Sequence, residues 1–423
     1  MTRWMVLLAA LAAANPAPAQ ERVAELERKV DVLTQEIEQL KLGAVADTAR
    51  AGPRLGFAPG ASKVYGVGRG VSVGGYGEML LQRFGGERED GVPVNAAPRL
   101  DYVRNVLYVG YKFDDQVLFN SELEVEHAGV SDEAHGEVVL EFAYLDWAPR
   151  REIGVRAGML LVPVGLVNEW HESPVLIGAR RPEVEQRILP TTWRVNGAGV
   201  FGELPVGLAY RAYLTEGLDA GRFTAENGIR EGRQAGSEAR VLKPALSGRV
   251  DWTGTAGLLL GASAYTGDSW QESQPADTLL EPRVTVADLH ARLEWRGLQA
   301  RVVLVRGWLD DAGDLSDHLG LTGPSRLGRS FWGYYVEAAY DVLPLAYPGT
   351  RYGLLPYARF ERSDTQDDVP GGSEDPANDR ITLTTGLALK PHPNVVLKLD
   401  HQQRRNQAKT GVDQWNAAVG YLF

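Results

Sequence analysis

The sequence predicts an all-β fold: a transmembrane antiparallel β-barrel of about sixteen strands, preceded by a short α-helical coiled coil. Three observations point there. From about Gly70 to Phe423, apolar and polar residues alternate in short segments broken by Gly, Asp, Asn or Pro. Beyond the first residues, no apolar run reaches the roughly 20 residues that a membrane-spanning helix needs. The chain also ends on an alternating strand that closes in an aromatic residue.

Residues 1–19 read as a secretory signal. Arg3 supplies the positive start, Trp4–Ala14 the apolar stretch, and Ala17-Pro18-Ala19 the small-residue cleavage site. Residues 20–42 follow as a helix in which Val23, Leu26, Val30, Leu33, Ile37 and Leu40 alternate steps of three and four. That spacing is a coiled-coil seam and marks these residues as an oligomerisation surface. Such a helix is marginal alone and needs partners, most simply copies of itself. Val and Ile at one seam position with Leu at the other favour two strands. Arg22-Val23-Ala24-Glu25-Leu26-Glu27 instead resembles short trimeric coiled coils, so dimer and trimer both stand. Residues 43–69 are rich in Gly, Ala and Pro, have no sustained period, and read as a linker.

The barrel is expected over residues 70–423. Val117, Phe119, Ser121, Leu123 and Val125 form one face of a strand, with Asn120, Glu122, Glu124 and Glu126 on the other. Leu289, Ala291, Leu293 and Trp295 likewise face away from Asp288, His290, Arg292 and Glu294. A soluble sandwich also alternates, but charges in mid-strand suit a water-filled lumen, and Tyr or Trp near strand ends suit aromatic girdles. Short turns such as Asp114-Asp115 and Arg150-Arg151 alternate with longer connections. In the last strand Trp415, Ala417, Val419, Tyr421 and Phe423 share a face. Trp415, Val419, Tyr421 and Phe423 look like the assembly signal that outer-membrane barrels present to the barrel assembly machinery, since an unpaired apolar edge is a template for strand addition.

A central block carries a family resemblance. Ala143-Tyr144-Leu145-Asp146-Trp147 is followed by Val155-Arg156-Ala157-Gly158-Met159-Leu160-Leu161-Val162-Pro163-Val164-Gly165-Leu166. After a long connection containing Glu185-Gln186-Arg187 comes Arg194-Val195-Asn196-Gly197-Ala198-Gly199-Val200. This order resembles the phosphate-selective porin O/P family. The resemblance implies a trimeric sixteen-stranded barrel in the bacterial outer membrane, with a long loop folded into the pore after the matching strand pair. It implies passage of small hydrophilic solutes, with anions such as phosphate among them. Residues assigned to the lumen carry both signs, however: Arg104, Lys112, Arg156, Arg194, Arg211, Arg249 and Arg292 against Glu122, Glu124, Glu126, Glu141, Glu337 and Asp341. Mixed walls create a transverse field without a strong net preference, unless the basic groups cluster at a constriction.

The candidate constriction is residues 167–192, a connection long enough to be functional. Its apolar Val175, Leu176, Ile177 and Ile188 are expected to pack on the wall, while Arg180, Arg181, Arg187 and Glu169 face the pore. An ordinary loop over the barrel mouth, or a subunit contact, is the alternative.

Other chemistry is thinly represented. There is no cysteine, hence no disulfide or thiolate metal site. A net charge of −11 argues against a nucleic-acid partner. No catalytic residue, cofactor or metal site is assigned. His171 between Glu169 and Glu172 is the only metal-like local cluster and reads as a solvated polar loop. The expected partners are outer-membrane lipid, copies of the chain and the barrel assembly machinery. A second reading is structural: the coiled coil, about 33 Å long at 1.5 Å per residue, would reach through the periplasm and tether the membrane to peptidoglycan.

Overall fold

A computed structural model describes residues 56–131, 134–272 and 280–423, together with Glu25, Arg28 and Lys29. Those three residues are helical, and Lys29 pairs with Glu25 at 2.8 Å, one turn apart. The seam residues Val23, Leu26, Val30, Leu33, Ile37 and Leu40 lie outside the described residues, as does the signal at 1–19.

Among the described residues eighteen strands follow. The first five are β1 Gly70–Phe84, β2 Arg99–Lys112, β3 Val117–Glu126 and the two-residue pair β4 Val130–Ser131 and β5 Ala134–His135. Next come β6 Val138–Arg150, β7 Ile153–Leu161, β8 Arg194–Leu204, β9 Leu208–Glu216, β10 Pro244–Thr255 and β11 Leu258–Asp268. The set ends with β12 Arg283–Trp295, β13 Leu298–Leu309, β14 Ser330–Tyr340, β15 Gly353–Asp368, β16 Asp379–His392, β17 Val395–Asn406 and β18 Gln414–Leu422. Without β4 and β5, which pair only with each other, sixteen strands close into one barrel. Each runs antiparallel to its neighbour, and β1 returns to β18. Closure satisfies every backbone ladder internally, as crossing hydrocarbon requires. The fold class expected from alternation is the one observed.

Side-chain alternation sets inside and outside as expected. Leu123, Leu145, Val155, Leu214, Leu289, Leu304, Val336, Leu387 and Leu399 stay exposed on the outer face. Their neighbours Glu122, Asp146, Arg156, Asp288, Glu337 and Asp400 point inward and are buried. One barrel end has short turns at 113–116, 151–152, 256–257, 296–297 and 393–394 and one longer connection at 341–352; the other carries the remaining long connections. The tightest turns show why: Arg296 at φ 48° and Gly297 at φ 87° take the paired left-handed geometry that matches strand twist in a two-residue hairpin. Exposed Tyr111, Trp147, Trp295, Tyr340 and Phe423 ring the short-turn end, and Trp308 and Trp415 lie near the other. Such belts mark membrane–water boundaries.

The seam between β1 and β18 depends on glycine. Tyr421 and Phe423 lie on the outer face beside Gly77 and Gly75. A Cβ on Gly77 would collide with the Tyr421 ring, and one on Gly75 would meet the Phe423 ring at 2.7 Å. Gly75 and Phe423 exchange two backbone hydrogen bonds of 3.0 and 2.8 Å, extending the ladder past the last strand residue. Trp415, Val419, Tyr421 and Phe423 therefore share the outer face of the closing strand.

The lumen is not empty. Residues 56–69, expected as linker, leave the start of β1 and fold back inside the barrel, where Phe57, Ala58, Ala61 and Val64 are buried. Their spacing places apolar groups at steps of three and four, a pattern that the surrounding Gly and Pro obscure in composition. A short helix, Lys63–Gly66, forms there. The substitution Gly77→Val is expected to overpack the seam at a cost of about 1–3 kcal/mol. The folded, fast-migrating band on unheated gels should then unfold at a lower temperature than in the parent; an unchanged transition would contradict this account of the seam.

Candidate functional site

The connection from β7 to β8, residues 162–193, crosses the lumen. Pro163 and a left-handed Gly165 (φ 64°) turn the chain inward after β7. Asn168 closes the neck of the excursion: its amide donates to Val162 O at 2.7 Å and Trp193 O at 3.1 Å, and its carbonyl accepts Trp193 N at 2.7 Å. Within the segment, the Glu185 carboxylate accepts the amides of Leu166 and Val167 at 3.1 and 2.9 Å and the Tyr335 hydroxyl at 2.9 Å.

Charged groups of the opposite wall hold the rest. Asp288 accepts Gly165 N at 3.1 Å, and Asp400 accepts Ala179 N at 2.8 Å. Glu361 accepts Glu183 N at 2.6 Å and Val184 N at 3.3 Å, at the start of the short helix Glu183–Arg187. The Lys398 ammonium donates to Ser173 O at 2.7 Å and Gly178 O at 3.0 Å. Arg359 donates to Arg180 O at 3.2 Å, while Arg249 and Arg301 donate to Gly165 O and Val175 O. Ile177 packs on Leu355, Tyr357, Ala388 and Val396 of the wall.

Of the residues expected to line the pore, several are covered instead. Glu169 is buried and faces Arg211 at 3.2 Å and Arg249 at 3.8 Å. Arg211 and Arg249 share Asp251 at 2.6 and 2.8 Å, and border a recess of about 100 Å³. Arg156 is fully enclosed: it forks onto Asp146 at 2.7 and 2.8 Å and lies 4.1 Å over the Tyr144 ring. The three arginines point inward as alternation requires. The two inserted segments bury them together with Glu169, so the expected place of these four on an open pore surface is corrected. His171, expected in a solvated loop, is also buried and meets Glu122 at 3.1 Å. Among the described residues no group of ligands able to hold a metal ion is found.

Four of the five remaining candidates meet open space on the long-loop side. Arg104, Arg181 and Arg194 border a cavity of about 350 Å³, and Arg187 a second one of about 740 Å³ across the short helix. Arg180 is half-buried. Arg104 pairs with Glu124 at 3.1 Å and Arg194 with Glu141 at 2.7 Å. Arg181 bonds Thr192 Oγ1 at 3.0 Å and leaves one terminal nitrogen buried without a partner among the described residues.

Sequence reasoning missed the other half of this wall. The connection 217–243 also folds inward, seated by buried Phe223 and Ile229. Arg230 donates to Thr191 O at 2.7 Å and Arg233 to Pro190 O at 3.0 Å, clamping the first segment from above. Arg222, Arg230 and Arg233 complete the smaller cavity, whose lining then holds six arginines against Glu126, Glu137, Glu141 and Glu231. Burial, and then the neighbouring Arg230, push the Arg233 guanidinium down to about 10. The available signal was the run of Arg222, Arg230, Arg233 and Arg240 in one connection. An anion about 4 Å from an unpaired guanidinium gains roughly 1 kcal/mol in water and about 4 kcal/mol at the effective dielectric near a protein surface. The cavity offers attraction and shape rather than bond-making chemistry.

Replacing Asn168 with Ala removes three bonds at the neck and strands the Trp193 amide in a buried place, at about 1–3 kcal/mol per unsatisfied group. Protease added to the folded barrel should then cut within 162–193; resistance equal to the parent would contradict the assigned role.

No family model matches the chain. An uncharacterized protein of Aquifex aeolicus is 34% identical over 380 residues, which covers 88% of this chain and 84% of that protein. Solved structures of similar fold include Salmonella typhi OmpF in complex with daunomycin, at a TM-score of 0.53 and 12% identity over 84% of this chain and 98% of that one. The outer membrane channel DcaP of Acinetobacter baumannii aligns at 0.51 and 13% over 84% and 97%. An anion-selective porin from Comamonas acidovorans aligns at 0.50 and 13% over 84% and 99%. At these identities the likeness concerns the fold alone. The chain belongs to one family with the Aquifex aeolicus protein, and its barrel has the sixteen-stranded fold of outer-membrane porins.

Proposed function

We propose that this protein is an outer-membrane channel for passive diffusion of small hydrophilic solutes, and that it favours anions. The observation that carries the reading is the arginine-rich cavity beside a segment fixed across a closed barrel. Aromatic belts and an apolar outer face suit a bilayer, and a charged inner face suits water. The resemblance of 143–201 to phosphate-selective porins makes phosphate a natural anion to test. Assembly as a homo-oligomer, with a trimer as the family resemblance implies, belongs to the same proposal.

Net charge does not oppose it. The chain carries −11 overall, but what a permeating ion meets is the local field in a narrow place with low-dielectric walls. There, Arg181, Arg222, Arg230 and Arg233 outnumber the acidic groups not already paired to arginine.

The test is a reversal potential across a potassium chloride gradient, with purified protein in planar bilayers. The sign should report chloride as the more permeant ion. The double variant Arg181→Gln/Arg222→Gln removes two cavity charges that make no wall anchor. It should lower the anion-to-cation permeability ratio roughly thirty-fold, at about 1 kcal/mol for each of the two well-solvated charges. A cation-signed potential in the parent, or an absence of conductance, would overturn the proposal.

A further inference from the structure

The segment inside the short-turn end of the barrel differs in kind from the crossing segment 162–193. It reaches from Leu422 on β18, beside Gly60, to Arg211 on β9, beside Gly56. Phe57 stacks on Tyr144 with ring centres 5.8 Å apart, and Val64 sits in the place a side chain at Gly110 would take. No barrel strand pairs with it among the described residues. Its polar ties to other parts of the chain include Ala58 N to Glu169 O at 3.2 Å, Ala61 N to Glu172 at 2.9 Å, and the Asn120 amide to Ala61 O at 2.9 Å. At its end, Lys63 donates to Val73 O at 3.0 Å and the Tyr65 hydroxyl to Asp146 at 2.7 Å.

Segment 162–193 is joined to the barrel at both ends. Among the described residues, 56–65 are joined to the barrel through Gly66-Val67-Gly68-Arg69-Gly70. Gly70 is left-handed at φ 97°, and the space where Gly68 would carry a side chain is open. That stretch has the makings of a hinge. Tyrosines line the seat: Tyr108 lies beside Gly60 and Tyr144 on Phe57, and the Tyr108 hydroxyl finds no partner among the described residues while the segment is in place. Undocking would hydrate it, which offsets part of the cost of exposing the segment's apolar face.

We propose that Phe57–Tyr65 is a lumenal plug that leaves and regains its seat, switching the barrel between a smaller and a larger aqueous path. The inference rests on the channel reading for its consequence, but the movement can be measured separately.

The chain has no cysteine, so engineered thiols report cleanly. In the folded barrel Ala61 is 3% exposed when seated, and a small methanethiosulfonate should modify the Ala61→Cys variant only during undocking. Time-dependent labelling without global unfolding supports the plug; protection matching that of a fully buried strand position overturns it. In planar bilayers, Val64→Cys/Gly110→Cys bridges plug to wall, the two Cβ positions lying 2.7 Å apart before relaxation. Oxidised, the channel should keep only its smaller conductance level; dithiothreitol should restore both, and deletion of residues 57–65 should leave only the larger. Identical levels in the oxidised, reduced and deleted forms overturn the proposal. Labelling of Ala61→Cys in a protein that conducts in no form would instead refute the channel reading and leave the moving plug standing.

Discussion

Carboxylates on the inner wall of the barrel hold backbone amides of a segment that has no sheet to pair with, and the arrangement of the lumen follows from that. Asp288, Asp400 and Glu361 lie on β12, β17 and β15, and they receive the amides of Gly165, Ala179, Glu183 and Val184. A hydrogen bond to a charged group contributes about 1.5–3 kcal/mol, and a buried charge left without one costs more. Neither side is stable alone. The wall needs donors to bury its charges, and the segment needs acceptors to leave water. Arg249, Arg301, Arg359 and Lys398 do the converse for the segment's carbonyls. A buried salt bridge by itself is weak evidence of stability. Here the charges are divided between one another and the backbone they position, which fixes the path of the chain.

This division separates two layers of information. The barrel is written in alternation, a period-two pattern that any sixteen-stranded member can keep while its residues change. That is consistent with solved porins near 12–13% identity sharing the fold. What fills the barrel is written in particular residues: Asn168 at the neck, Glu185 under the turn, Arg230 and Arg233 above. Function in such a fold resides in the filling rather than in the frame.

Much of the frame was legible in the sequence. The sixteen expected strands follow the observed order, because charged mid-strand residues opposite Leu, Val and Trp leave few ways to place either face. The crossing segment was legible by length and by its apolar Leu176, Ile177 and Ile188. What covers an inward residue was not. Arg156, Arg211 and Arg249 alternate like Arg104 and Arg194, yet the first three are enclosed and the others border open space. The difference lies in residues 56–66 and 162–193, whose positions depend on contacts distant in sequence. Phe57, Ala61 and Val64 were hidden in a stretch that composition marks as linker. The arginines of 217–243 lay in a connection that strand counting passes over.

The most direct measurement is amide hydrogen exchange on the folded barrel in detergent. If wall carboxylates fix the crossing segment, the amides of Gly165, Ala179, Glu183 and Val184 should exchange as slowly as those of the neighbouring strand ladders. Exchange of these four within seconds, while the ladders stay protected, would show a loop that merely rests in the lumen and would contradict the account.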